Sequence, residues 1–121
     1  MASENVGMGI ELDINLGALS GGVLSLTVAT LPDDMEGYQV EYAAALSPAL
    51  TKSLGGDITV DVGQKQIHIT FHASDTRDQH APMDRFHECK IKGPNDAEPE
   101  RIFFGRLYIH ESMIDFGSAT T

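Results

Sequence analysis

Apolar and polar residues alternate along most of this chain with a period of two. In residues 10–16 an isoleucine or leucine stands at every even position, and Glu11, Asp13 and Asn15 stand between them. Because successive side chains of a β-strand point to opposite faces, this pattern predicts a strand with one buried and one solvated face. Residues 23–31 repeat the alternation after the glycine-rich stretch 17–22, so we expect the two segments to pair as a hairpin.

The middle of the chain carries mixed signals. Tyr38, Val40 and Tyr42 alternate like a strand, whereas the alanines that follow them favour helix. Residues 36–46 are therefore interpreted as a strand that runs into coil or helix. Ser47-Pro48 has the order of a helix start, with serine as the cap and proline in the first position, and it predicts a short helix over 48–54.

Strand-type alternation dominates the second half of the chain. Residues 58–62 and 67–72 flank a Gly-Gln turn and predict a second hairpin. Further strands are expected at 85–91 and 101–110, and the segment 113–116 is a candidate for the last strand.

These elements define the predicted fold class. It is mainly β: a compact antiparallel β-sandwich or barrel of six to seven strands with one or two short helices. The 121 residues fit a single domain, 1–121, in which 1–9 and 117–121 are extended terminal segments. No alternation of strands with long helices is present, which argues against a parallel nucleotide-binding sheet.

Composition and charge narrow the class of protein. The chain is 41% apolar and 21% charged, which excludes most disordered compositions. Its net charge is −10, and residues up to 60 hold eight acidic side chains against Lys52 alone. Such a charge repels phosphate backbones, so direct nucleic-acid binding is not expected. The negative charge serves solubility or, alternatively, contact with a basic partner.

The sequence also bears on location and crosslinking. No apolar run approaches the roughly 20 residues of a membrane span, and no secretory signal is visible at the start. We therefore expect a cytoplasmic protein that is not secreted and has no membrane partner. Cys89 is the only cysteine, so the fold must form without an internal disulfide.

Histidine is the one concentrated source of reactive groups. The possible metal ligands are His68, His72, His80, His87 and Cys89, with Asp78 or Asp84 as a third ligand from across the sheet. On a strand, His68 and His72 lie roughly 13 Å apart, too far to chelate one ion, whereas His87 and Cys89 share a face. The simpler interpretation is a set of solvated histidines and a buried cysteine. We predict no metal site, no cofactor and no catalytic residue.

The strand at 101–109 has two distinct faces. Phe103, Leu107 and Ile109 fall on one, and Phe104, Arg106 and Tyr108 fall on the other. The strand is then either covered on both sides as a central core strand, or its second face meets another subunit. The predicted interface residues are accordingly Phe104, Arg106 and Tyr108.

The features above favour a non-enzymatic structural or assembly module. It would be a self-associating subunit, with protein partners and a homo-oligomeric state, or a component of a larger particle; by analogy, small β proteins of a virion capsid or tail have this character. The alternative is an acidic protein inhibitor that mimics nucleic acid or binds a basic partner. A small metal-dependent enzyme is the second alternative.

Overall fold

A computed structural model describes residues 9–77 and 79–114 of the chain. Expectations that concern residues 1–8, Asp78 and 115–121 lie outside the described residues; they include the terminal segments and the end of the candidate strand 113–116. The described part contains nine strands and one short 3₁₀ helix, Ala73–Thr76. The strands are β1 (Ile10–Glu11), β2 (Ile14–Gly17), β3 (Gly22–Thr27), β4 (Gln39–Ala44), β5 (Leu50–Ser53), β6 (Ile58–Asp61), β7 (Gln66–Phe71), β8 (Met83–Lys92) and β9 (Glu100–His110).

The strands form two sheets that pack face to face. The six-stranded sheet has the order β1-β9-β8-β4-β5, with β2 also paired to β9, and the three-stranded sheet has the order β3-β7-β6. The fold is therefore the predicted sandwich and not the barrel. Most pairs are antiparallel, but β1 and β2 run parallel to β9, which the sequence analysis did not foresee.

The core follows from the alternation seen in the sequence. In β7, Ile67, Ile69 and Phe71 are buried between the sheets, while His68 and Thr70 lie on the other face. The predicted hairpin of 58–62 with 67–72 is confirmed as β6 and β7. Tyr42 on β4 and Phe103 on β9 supply the largest fully buried side chains from the six-stranded sheet.

The predicted hairpin between 10–16 and 23–31 is wrong. β2 joins the six-stranded sheet beside β9, whereas β3 joins the other sheet beside β7. The glycine-rich segment carries the chain from one sheet to the other, and there the Leu19 amide donates to Thr76 Oγ1. Alternation shows that a segment is a strand but not which strand it pairs with, because either partner satisfies the same pattern.

The predicted helix over 48–54 is also wrong. Leu50–Ser53 forms β5 and pairs antiparallel with β4. Pairing with β4 outweighs the local helix signal, because helix propensity is weak and tertiary pairing overrides it. The strand places Lys52 against its carboxylate partners. In 36–46 the interpretation of a strand that runs into coil is confirmed: β4 ends at Ala44, and Ala45 and Leu46 lie in neither strand nor helix.

The remaining strand predictions were close to the structure. Residues 85–91 and 101–110 lie within β8 and β9, the longest strands of the described chain. Met113 and Ile114, the described part of the last candidate strand, are not in a strand. The order β9-β8-β4-β5 facing β3-β7-β6 matches the strand order of immunoglobulin-like sandwiches. That likeness concerns the arrangement of strands and assigns no function.

Candidate functional site: the outer face of the six-stranded sheet

The outer face of the six-stranded sheet, turned away from the three-stranded sheet, carries three aromatic side chains. Phe104 and Tyr108 lie on β9 and are half-buried, and Phe86 on the adjacent β8 is 41% exposed. Phe86 stands directly opposite Arg106 in the strand pairing. Residues opposite each other on antiparallel strands share a face, so these side chains form one continuous patch.

Strand β9 has the two faces predicted from its sequence. Phe103, Leu107 and Ile109 are at most 1% exposed and point into the core. The predicted interface residues Phe104, Arg106 and Tyr108 all lie on the outer face, and Arg106 is exposed. The structure thus brings the three residues together, and their contact with a partner stays a prediction.

Phe86 was not singled out from the sequence. It stands between Arg85 and His87 in a strand whose buried positions are His87 and Cys89. Because side chains of a strand alternate between faces, the inward positions of His87 and Cys89 put Phe86 and Glu88 together on the outer face. Phe86 therefore lies beside the aromatic residues of β9.

Charged groups are interleaved with the aromatic rings. The Arg101 guanidinium lies 4.9 Å from the centre of the Phe104 ring, and Arg101 Nε is 3.3 Å from Glu88 Oε1. Lys90 Nζ is 3.9 Å from the other oxygen of Glu88. A cation over an aromatic face is attracted by the ring, and the attraction grows when water is removed. The arrangement is therefore suited to a contact that excludes solvent.

The outer face is close to neutral on a strongly anionic chain. Its strand positions, with the adjoining Asp13, hold four of the chain's eight basic residues and five of its eighteen acidic ones. The other charged residues of the sequence are four basic and thirteen acidic. The charges counted on this face are Lys90, Lys92, Arg101, Arg106, Glu11, Asp13, Glu41, Asp84 and Glu88.

The candidate metal ligands are not brought together. His87 and Cys89 are fully buried in the core, and burial raises the pKa of the Cys89 thiol to about 12. His68 Nδ1 lies 2.8 Å from Ser25 Oγ on the outside of the three-stranded sheet, and His72 is bonded to Asp57 at one end of the sandwich. His80 is exposed and Asp84 lies on β8. Within residues 9–77 and 79–114, no three His, Cys, Asp or Glu side chains form a group that could hold a metal ion.

His87 is held in the core by two hydrogen bonds. Its Nε2–H donates to the Leu12 carbonyl at 2.7 Å, and its Nδ1 accepts from the Tyr42 hydroxyl at 2.9 Å. Because the carbonyl can only accept, Nε2 must carry a proton, and in the neutral imidazole Nδ1 is then free to accept from the Tyr42 hydroxyl. Burial lowers the pKa of His87, although the Leu12 carbonyl and Asp13 oppose the shift.

Gly105 makes this contact possible. It stands opposite His87 in the pairing of β8 with β9. A side chain there would collide with the Leu12 carbonyl, and its Cβ would also lie 2.7 Å from Asp13 Oδ1. The absence of a side chain lets the segment between β1 and β2 approach β9 closely enough to reach the imidazole.

A partly buried ion-pair cluster joins the two sheets at one end. Lys52 Nζ lies 2.9 Å from Asp57 Oδ2 and 2.8 Å from Asp75 Oδ2. The Lys52 side chain is 2% exposed and lies over the Phe71 ring. Hydrogen bonds from Lys52 and then His72 lower the pKa of Asp57. A helix over 48–54 would not place Lys52 in a strand facing these carboxylates, so the local sequence pattern does not reveal this cluster.

A cleft of about 640 Å³ opens between the two sheets beside β3. Its walls are the end of β3, the loop that follows it and the beginnings of β1 and β9. Ile10 at its rim is 54% exposed. The same end of the molecule carries six exposed acidic residues, five on two loops that adjoin where Gly37 faces Pro94 and one at the start of β9: Asp33, Asp34, Glu36, Asp96, Glu98 and Glu100.

Comparisons with known proteins give no assignment. Neither the models of protein families nor the curated proteins match this chain. Across the part that the structure describes, no helix has the length and apolar character needed to cross a bilayer. A functional conclusion therefore rests on the surface and core features described above.

Proposed function

We propose that this protein is a non-enzymatic structural module that associates with further copies of itself through the outer face of the six-stranded sheet. The carrying observation is the patch formed by Phe86, Phe104 and Tyr108 with the arginines between them. Aromatic residues and arginine are the types enriched where proteins bind one another, and they contribute most of the energy at such contacts.

The charge distribution supports a second copy as the occupant. Each chain carries a net charge of −10, so two copies repel one another over most of their surfaces. The outer face holds nearly equal numbers of basic and acidic side chains, and it can meet itself without that repulsion. In a two-fold contact Arg106 would approach the acidic residues of the same patch on the partner.

The chemistry of the core supports a structural role. The polar groups that could serve catalysis are engaged inside the sandwich: His87 by two hydrogen bonds and Lys52 by two carboxylates. The high pKa of Cys89 keeps its thiol protonated and unreactive at neutral pH. Engagement of these groups within the core supports the proposed structural role.

The test is the mass in solution, measured by light scattering during size-exclusion chromatography over the micromolar range. We expect a species heavier than the 13.1 kDa monomer, and we expect Arg106→Glu to lower its mass. Arg85→Glu makes the same change in charge at an exposed arginine on β8 that lies off the outer face, and it should leave the mass unchanged. A wild-type protein that is monomeric throughout, or an Arg106→Glu protein that associates normally, contradicts the proposal.

One observation favours a second candidate function, an inhibitor that binds a basic partner. The six acidic residues at the cleft end form a strongly negative surface of the kind that attracts a basic groove. Such binding should weaken as salt is added, since screening reduces the attraction between exposed charges. A pull-down from a nucleic-acid-binding fraction whose yield is independent of salt would argue against this candidate.

A further inference from the structure

The edge strands of this sandwich differ in how well they are protected. Among the described residues there are four edges: β5 and β1 with β2 in one sheet, and β3 and β6 in the other. Natural proteins protect such edges with charged or inward-pointing polar residues, which prevent pairing with another chain. Glu11 and Asp13 protect the first strands, the inward Lys52 protects β5, and Asp61 ends β6.

Strand β3 has none of these devices. Its residues, Gly22–Thr27, include no charge and no proline, and the sequence is uncharged from residue 14 to residue 32. Val23 is 61% exposed, and β7 is the only strand paired with β3 in the described chain. An uncharged edge of this kind presents unpaired backbone groups to a second strand.

We propose that β3 is a second self-association site, at which it pairs antiparallel with β3 of another copy. The two three-stranded sheets would then form one continuous sheet of six strands. This contact goes beyond the proposed function, because it uses a different surface and does not require the outer face.

The alternation of β3 restricts the register of this pair. Opposite residues must point to the same side of the sheet, so a two-fold axis has to pass through a residue and not between two residues. An axis at Ser25 places Val23 opposite Thr27 of the partner subunit and Leu24 opposite Leu26 of the partner subunit. Both combinations match, since Leu24 and Leu26 are half-buried against the core and the other two residues are exposed.

Charge identifies the occupant of this edge as a second copy. The uncharged stretch is the one long segment of the described chain where two molecules of charge −10 can bring their backbones together without facing acidic groups. The edge also adjoins the 640 Å³ cleft, so a strand added there extends one wall of the cleft over partly exposed apolar side chains. Apolar surface removed from water would add to the backbone hydrogen bonds.

Two different two-fold contacts on one chain lead to larger assemblies than a single such contact can. A single two-fold contact closes at a dimer, whereas two such contacts on separate surfaces build a closed tetramer or an extended array. The inferred β3 contact therefore supplies what a subunit of a shell or tube would need beyond the outer face.

Cysteine crosslinking tests the contact directly. In Ser25→Cys protein the two thiols would face each other across the axis, at the spacing of opposite residues, about 4.5–5.5 Å between Cα atoms, which a disulfide spans. We expect oxidised glutathione to produce a disulfide-linked dimer in high yield. Ser53→Cys, at an exposed serine on the protected edge β5, is the matched control and should crosslink poorly. The buried Cys89 should not react in the folded protein.

Further substitutions made in the Ser25→Cys protein distinguish the β3 contact from association through the outer face. Val23→Lys should sharply lower the yield of the Ser25→Cys crosslink, even though it reduces the net negative charge, whereas Val62→Lys at another exposed valine should not. Adding Arg106→Glu should leave the Ser25→Cys crosslink in place, whether or not the outer face associates. A yield no higher than that of Ser53→Cys, or one insensitive to Val23→Lys, overturns the β3 contact.

Discussion

Acidification should destabilise this protein near neutral pH through a single buried imidazole. His87 is fully buried and neutral, and burial holds its pKa below the ordinary value of 6.5. The unfolded chain takes up a proton near that ordinary value, whereas the folded chain does so only at a lower pH. Stability is therefore complete above the unfolded pKa and falls as the pH drops below it, until the folded pKa is reached.

The size of the effect follows from proton linkage. Between the two pKa values the unfolded state binds one more proton than the folded state, so the free energy of unfolding falls by about 1.4 kcal/mol per pH unit. Asp33 and Asp57 have lowered pKa values because of their lysine partners, so their contributions are lost at lower pH, where carboxylates protonate. The change in the free energy of unfolding just below neutral pH therefore reports on His87.

Urea unfolding at about pH 7.5 and about pH 5.5 measures this difference. The wild-type protein should lose up to about 1.4 kcal/mol more than His87→Gln over this interval, and His80→Gln, at an exposed histidine, should behave like the wild type. If His87→Gln is too unstable, NMR titration of the wild-type imidazole should show it still neutral below the ordinary pKa. Equal loss in all three proteins, or an imidazole that titrates normally, would refute the reasoning.

Three further outcomes are expected from the same structure. Lys52→Met should cost about 2–4 kcal/mol in urea unfolding, because a partly buried carboxylate loses its cation, whereas Lys65→Met should cost much less, since its partner is exposed. Gly105→Ala should cost about 1–3 kcal/mol, because its Cβ meets a backbone carbonyl, whereas Gly22→Ala has open space and should be nearly neutral. Cys89 should resist a thiol reagent at neutral pH in the folded protein and react fully in urea; labelling at equal rates in both would show that the thiol is accessible.

The sequence carried the strand content of the fold but not its connections. Alternation located β7, β8 and β9 well and assigned both faces of β9, because the period of two depends only on which side of a sheet is buried. The same property left the partner of β3 open, since pairing with β2 or with β7 satisfies it equally.

The polar core could not be predicted for a related reason. Lys52 meets Asp75 across the interior, and His87 reaches a carbonyl 75 residues away in the chain. Neither contact leaves a local trace, because each depends on how the two sheets are stacked. The outer-face patch was easier to predict. The alternation of β9 alone identifies Phe104, Arg106 and Tyr108, and the alternation of β8 is enough to add Phe86.

The parallel pairing of β1 and β2 with β9 also determines how the molecule would respond to force. Because these strands run in the same direction, β1 enters the sheet opposite Phe103, in the first half of β9, and the chain leaves the sheet at the far end of β9, after His110. Tension applied through the two ends would pull the neighbouring strands past each other, so that their interstrand hydrogen bonds are loaded together in shear and do not open one at a time. A subunit connected in series through its ends would, in this geometry, resist stretching along the axis of the sheet.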